Sequence, residues 1–196
     1  MSQTVGVLGL QGDYSKHIQI LKRLHVKTQV VRWPDDLASC DRLILPGGES
    51  TTFLNLMHKT GLFEAIREFS NSHPLFGTCA GSIVLSTQIT HPVMQGLDLI
   101  DMRIERNAYG RQVNSFSDTV QIPVFEGPAF EAVFIRAPII RSVGNETRIL
   151  AQHNDEIILA RNDRILVATF HPELTRDTRM HDYFLTEFLK KSSVSG

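Results

Sequence analysis

Apolar and polar positions change period several times along this chain. A short apolar run, Thr4 to Leu10, ends in Gly-Asp chemistry, and Tyr14 to Leu24 then carries Ile18, Leu21 and Leu24 at helical spacing behind Asp13, a suitable cap. Strand followed by helix is predicted. Thr28 to Arg32 and Arg42 to Leu45 read as two more strands, with Pro34-Asp35-Asp36 turning the chain between them. After Pro46-Gly47-Gly48 the spacing predicts helices over Thr51 to His58 and Leu62 to Phe69. The apolar run Leu75-Phe76 then stops at Gly77, and Ala80 to Thr87 resumes as a helix.

Beyond Asp98 the pattern shifts to short alternating runs, such as Met102 to Arg106 and Thr119 to Ile122, separated by Gly, Asn, Asp and Pro as far as Phe134. This predicts an antiparallel extension. Ile157 to Ala160 and Arg164 to Thr169 read as a hairpin turned at Asn162-Asp163. Arg179 to Lys190 is a closing amphipathic helix, and Lys191 to Gly196 should fray. With no repeat or linker, residues 1–196 read as one α/β domain: a mostly parallel central sheet flanked by helices, with an antiparallel extension.

Composition narrows the function. Twenty Lys+Arg against 21 Asp+Glu leave a formal charge of −1, which predicts neither a nucleic-acid surface nor a polybasic membrane face. No apolar run approaches the ~20 residues that span a bilayer, and MSQTVGVLGLQGD lacks the basic and small-residue regions of a signal peptide, so a cytoplasmic location is expected. The two cysteines, Cys40 and Cys79, are too few for a disulfide scaffold and form no CxxC pair. Cys40 is expected in the core.

Cys79 has different company. Gly77-Thr-Cys-Ala-Gly81 places it between an apolar strand and a helix, in the manner of a nucleophile elbow, where glycines allow a tight turn and the helix start favours a thiolate. The backbone N–H of Ala80 could serve an oxyanion. Of eight histidines, His171 has the right company: Thr169-Phe-His-Pro-Glu173 follows the apolar run Ile165 to Ala168, so His171 and Glu173 sit just past a strand end. Extended geometry at Pro172 would project His171 and Glu173 to one side, so that Glu173 fixes the tautomer presenting the other ring nitrogen to Cys79. Pro46-Gly-Gly-Glu-Ser50 ends a strand with two glycines, from which Gly48 N–H could supply a second oxyanion donor and Ser50 or Thr51 could cap the next helix. A phosphate loop is disfavoured for want of the lysine, and the histidines show no metal-ligand spacing, so neither metal nor cofactor is expected.

With Pro46-Gly-Gly-Glu-Ser-Thr51, Gly77-Thr-Cys-Ala-Gly-Ser82 and Phe170-His-Pro-Glu-Leu174 in view, the sequence resembles the triad-type class I glutamine amidotransferases. Gly6 to Asp13, Glu105-Arg106-Asn107, Gly110 to Val113 and Ile135-Arg-Ala-Pro138 bring it closer to the glutaminase subunits of two-protein pyridoxal 5′-phosphate synthases. The resemblance implies hydrolysis of L-glutamine to glutamate and ammonia, with the ammonia passed to a synthase partner. It implies Cys79 as nucleophile, His171 as base and acid, and Glu173 as its orienter. Glutamine contacts would fall to Gly48, Glu49, Ser50, Arg106, Ile135 and Arg136, with Arg106 meeting the α-carboxylate. The two glycines flanking Leu10-Gln11 suggest that partner docking reorders Leu10 to Gly12. Alternatives left open are a stand-alone cysteine hydrolase of γ-glutamyl substrates, a glutaminase subunit of another pathway, and a binding module with a vestigial site.

Overall fold

The computed structural model describes residues 3–106 and 115–188. Asn107, the Gly110 to Val113 block, Lys190 at the end of the predicted last helix and the tail from Lys191 lie outside the described residues. The first half follows the predicted alternation: β1 (Thr4–Leu8), α1 (Tyr14–Arg23), β2 (Lys27–Val31), a 3-10 turn at Pro34–Ser39, and β3 (Arg42–Leu45). Next come α2 (Ser50–Thr60), α3 (Leu62–Phe69), β4 (Leu75–Thr78) and α4 (Ala80–Leu85). The second half is richer in strands than expected: β5 (Ser86–Thr90), β6 (Ile100–Glu105), β7 (Ser115–Val120), β8 (Phe130–Ile135), β9 (Ile139–Val143), β10 (Arg148–His153), β11 (Glu156–Arg161) and β12 (Ile165–Ala168). A 3-10 turn at Pro172–Leu174 and α5 (Arg179–Glu187) complete it.

Several local expectations are corrected. The helix expected to reach Thr87 ends at Leu85, where Ser86 turns extended and its hydroxyl donates to the Ile83 carbonyl at 2.8 Å. Ser86–Thr90 instead pairs in parallel with β6, a ladder that no local pattern announces. Strand β7 begins and ends earlier than the predicted Thr119 to Ile122 run. On α1 the buried face is His17, Ile20 and Leu21, with Ile18 only partly covered.

The main sheet runs β2-β1-β3-β4-β12-β11-β9-β6-β5, with β10 paired to β11, and β7 and β8 form a separate two-stranded ribbon. Strands β2, β1, β3, β4 and β12 are parallel and β11 and β9 continue antiparallel, while of the segment Asp98 to Phe134, expected as the antiparallel extension, β6 pairs antiparallel with β9 and β7 with β8. Side-chain alternation sends Leu43, Leu45, Leu75 and Val167 into one core beneath α2, α3 and α4. Ile44, Phe76, Leu166 and Ala168 face the other, beneath α1, α5 and the ribbon. Each fully buried Leu or Phe contributes about 1.5–3 kcal/mol, so both faces of the parallel strands stabilise the fold and fix their register. Cys40 is buried as expected, its thiol donating to the Asp36 carbonyl. Among the described residues, no helix is long and apolar enough to cross a membrane.

This topology places the candidate site. The sheet order reverses between β1 and β3, and the carboxyl ends of β1, β3, β4 and β12 lead into Gly9–Asp13, Pro46–Glu49, Cys79 and Thr169–Glu173. Crevices at such reversals are where open α/β sheets bind ligands.

Candidate active site

Cys79 occupies the single residue between β4 and α4, at φ 47° and ψ −106°. A non-glycine residue there is strained by about 1–3 kcal/mol, so surrounding contacts must hold it. They do so through backbone: the Cys79 N–H donates to Ala168 O at 2.9 Å on β12, and its carbonyl accepts from Ile83 N–H at 3.2 Å. Gly81 explains why strand and helix can meet so closely, because a Cβ there would lie 2.0 Å from the Leu45 carbonyl oxygen. The thiol faces the carbonyl of Ile135 at 3.9 Å.

His171 and Glu173 come together, although not by the predicted extended geometry. Pro172 opens a 3-10 turn, a position where its missing N–H costs nothing, and the turn curls the Glu173 carboxylate back onto the ring. His171 Nδ1 lies 2.7 Å from Glu173 Oε1, with both side chains buried. The His171 backbone N–H donates to Val133 O on β8 at 2.8 Å, which fastens the chain at this residue to the ribbon. Burial alone would depress its pKa, but hydrogen bonds and charge from Cys79 and Glu173 outweigh burial and raise it to about 10. Glu173 is held below the usual carboxyl range: burial opposes ionisation, while attraction to His17 and the hydrogen bond and charge of His171 favour it. The imidazole and the carboxylate thus form a buried hydrogen-bonded pair, and Cys79 joins them in one row at the same cleft.

A cleft of about 220 Å³ opens over this row, lined by Gly48, Glu49, Ser50, Cys79, Arg106, Ile135, Arg136 and His171 together with Asp13 and Ile83. Every residue singled out in the sequence for substrate contact therefore lies in its wall, and Ala80 follows Cys79 directly. Larger cavities lie elsewhere, one of them beside Arg161 to Ile165 at the opposite end of the sheet, and that one contains neither cysteine nor histidine. Two details differ from expectation. Glu49, not Ser50 or Thr51, caps α2, its carboxylate accepting from the N–H groups of Thr51 at 3.0 Å and Thr52 at 2.7 Å. Burial would raise its pKa, but the hydrogen bonds from Thr52 and Thr51 bring it down to about 2. Arg106 is paired with that same carboxylate at 2.9 Å and also donates to Thr51 Oγ1 at 3.2 Å.

Residues 7–190 match the SNO glutamine amidotransferase family. The chain belongs to that family. Among relatives of this SNO amidotransferase, the "Pyridoxal 5′-phosphate synthase subunit PdxT" of Thermosipho africanus is 45% identical, the alignment covering 92% of this chain and 96% of the relative. The protein of that name from Francisella tularensis subsp. novicida is 48% identical over 94% of this chain and 99% of its own. A solved structure described as a glutamine amidotransferase superposes with a TM-score of 0.88 at 42% identity, covering 92% of this chain and 96% of the other. A glutamine amidotransferase of Thermotoga maritima, at 14% identity and a TM-score of 0.60, shares the fold; the match covers 100% of this chain and 87% of the other.

Sequence reasoning missed two cleft residues in this SNO amidotransferase and the bond that Gln11, already placed at the site's edge, makes there. Asp13 and Ile83 line the cleft, and Gln11 bridges to the glycine loop, its amide donating to Glu49 O at 2.9 Å and accepting from Glu49 N–H at 3.3 Å. Gln11 carries a signal, since it sits at the carboxyl edge of the first strand. Asp13 reads from sequence only as a helix cap, and its side chain makes no capping bond.

Proposed function

We propose that this glutamine amidotransferase is the glutaminase subunit of a pyridoxal 5′-phosphate synthase, hydrolysing L-glutamine through Cys79, His171 and Glu173. The reading rests on one observation above all: a cysteine at a strained strand-to-helix bend shares a cleft with an imidazole whose Nδ1 is fixed at 2.7 Å by a buried carboxylate. The thiolate attacks the carboxamide carbon, and the N–H groups of Gly48 and Ala80 hold the resulting oxyanion. Proton transfer from His171 releases ammonia and leaves a glutamyl thioester. His171 then takes a proton from water, which cleaves the thioester to glutamate and restores the thiol. Gly48, Glu49, Ser50, Ile135 and Arg136 shape the glutamine subsite, and Arg106 takes the α-carboxylate.

The ammonia goes to a cytoplasmic synthase subunit that assembles the cofactor from a pentose phosphate and a triose phosphate. The identities of 45% and 48% to PdxT proteins support that partner. Docking is proposed to act on Leu10 to Gly12, because Gln11 holds the backbone of Glu49 beside Gly48. Ammonia release from L-glutamine, with and without the synthase partner and with Cys79→Ala, tests the whole reading. Release that rises with the partner and vanishes in Cys79→Ala is expected. Equal rates with and without the partner would remove the docking step, and turnover of γ-glutamyl peptides in preference to glutamine would favour a stand-alone hydrolase.

A further inference from the structure

Behind the catalytic row lies a second pair of imidazoles that the mechanism above does not use. His17 on α1 and His181 on α5 are fully buried, with His17 Nδ1 2.9 Å from His181 Nε2. The other nitrogen of His17, Nε2, faces Thr78 Oγ1 at 3.2 Å and Glu173 Oε2 at 3.5 Å. Thr78 immediately precedes the nucleophile. Glu173 Oε2 is buried and makes no hydrogen bond, and the His17 ring nitrogen 3.5 Å away faces this oxygen that His171 leaves unoccupied.

Geometry selects the tautomers. His17 Nε2 lies 3.2 Å from Thr78 Oγ1 and 3.5 Å from a carboxylate oxygen that would repel a lone pair there, so that nitrogen carries the proton, with Thr78 Oγ1 as its acceptor. In a neutral ring His17 Nδ1 is then an acceptor, and His181 Nε2–H is its donor. His181 Nδ1 is left bare, consistent with its being buried without a partner. Burial lowers the pKa of both rings, and repulsion between them lowers His181 further, so both are neutral near pH 7.

We propose that His17 is a positioning residue for glutamine hydrolysis: its Nε2–H anchors the second oxygen of Glu173 and so keeps the first aligned on His171. The need is specific. The terminal torsion of a glutamate is soft and two-fold, so one hydrogen bond to His171 leaves the carboxylate free to rock. A donor facing the opposite oxygen removes that freedom, and the contact with Thr78 ties the acid to the strand that ends in Cys79. Outer partners of this kind orient the groups that do chemistry, and their loss typically lowers activity about 10–100-fold. The ring's other surroundings are aromatic, with Phe76 edge-on at 6.4 Å between centroids.

This inference rests on the triad reading, and isosteric variants separate the two. In His17→Gln the amide nitrogen can occupy the place of Nε2 and keep the donor to Glu173. In His17→Asn the amide can reach only the place of Nδ1, keeping His181 and losing Glu173. Ammonia release from L-glutamine is measured with the full chain and its synthase partner, with Cys79→Ala alongside. His17→Asn should lower kcat about 10–100-fold with KM within about twofold, while His17→Gln stays within about threefold of the parent. Equal loss in both variants, or loss in neither, overturns the proposal. Activity surviving in Cys79→Ala would instead overturn the triad. Should His17→Asn fail to fold, nitrogen-15 spectra of the unmutated chain decide: Nε2 protonated and Nδ1 bare on His17 supports the proposal, and the opposite tautomer overturns it.

Discussion

Arg106 and Glu49 meet at 2.9 Å across the mouth of the cleft that contains Cys79. Glu49 is already committed to capping α2 through Thr51 and Thr52, so its carboxylate stays in place when Arg106 turns to another partner. A substrate α-carboxylate is such a partner, and a guanidinium can meet it with two parallel bonds. Arg106→Ala is therefore expected to raise KM for glutamine about 10–100-fold, the worth of about 1.5–3 kcal/mol in charged hydrogen bonds, with a smaller change in kcat. Arg106→Lys should fall between, because an ammonium lacks the fork. Steady-state ammonia release checks both, and an unchanged KM in Arg106→Ala would count against the assignment.

Glu173→Gln tests the orienting carboxylate. The amide is nearly the same shape but carries no charge to stabilise the imidazolium and can select the wrong tautomer. A fall in kcat of about 10²–10⁴-fold is expected, with KM little altered. A variant within tenfold of the parent would show that His171 needs no acid.

Stability should peak near neutrality and fall on both sides. His171 is raised to about 10 from the usual 6.5, so its contribution is complete below about pH 6.5 and is lost as pH rises through about 10. Glu173, whose pKa is lowered, contributes above the ordinary carboxyl range and loses that contribution as pH falls through its depressed value. His17 and His181 are also lowered, and the unfolded chain takes up protons that these buried rings refuse, so stability declines as pH drops below about 6.5. Urea midpoints between pH 5 and 10 report the profile. A midpoint rising steadily from pH 6.5 to 10 would contradict the shift at His171.

Gly81→Ala should break the elbow. The added Cβ would sit 2.0 Å from Leu45 O and 2.8 Å from its carbonyl carbon, both backbone atoms of a central strand that cannot yield. A loss of roughly 2–3 kcal/mol is expected, a fall of roughly 5–10 °C in Tm for a chain of this size. A melting curve superimposable on the parent would refute the steric argument.

The parallel half of the sheet was legible because its strands are apolar on both faces and its helices carry a clear period. Cys79, His171 and Glu173 stood out because a glycine-bracketed bend and a carboxylate two residues from a histidine are local features. What escaped depends on pairing between distant segments. Ser86–Thr90 follows a helical pattern until β6 offers a ladder, and β9 and β10 are held by β6 and β11. Pro172 fits an extended chain as well as the first position of a 3-10 turn, and the ribbon decides by holding the His171 N–H. His17 and His181 did leave a trace, since each lies at helical spacing with buried residues, Leu21 in one case and Phe184 and Leu185 in the other. A polar ring on a dry helical stripe is the signal that could have found them.

Cys79 hangs from β12 through Ala168 O, whereas the backbone of His171 is pinned to β8 in the two-stranded ribbon through Val133 O. The gap between sulfur and imidazole is consequently set at a seam between two sheets. A sub-ångström slide of the ribbon would shift His171 against Cys79, so on the proposed mechanism substitutions along the seam are expected to lower activity before they lower the melting temperature.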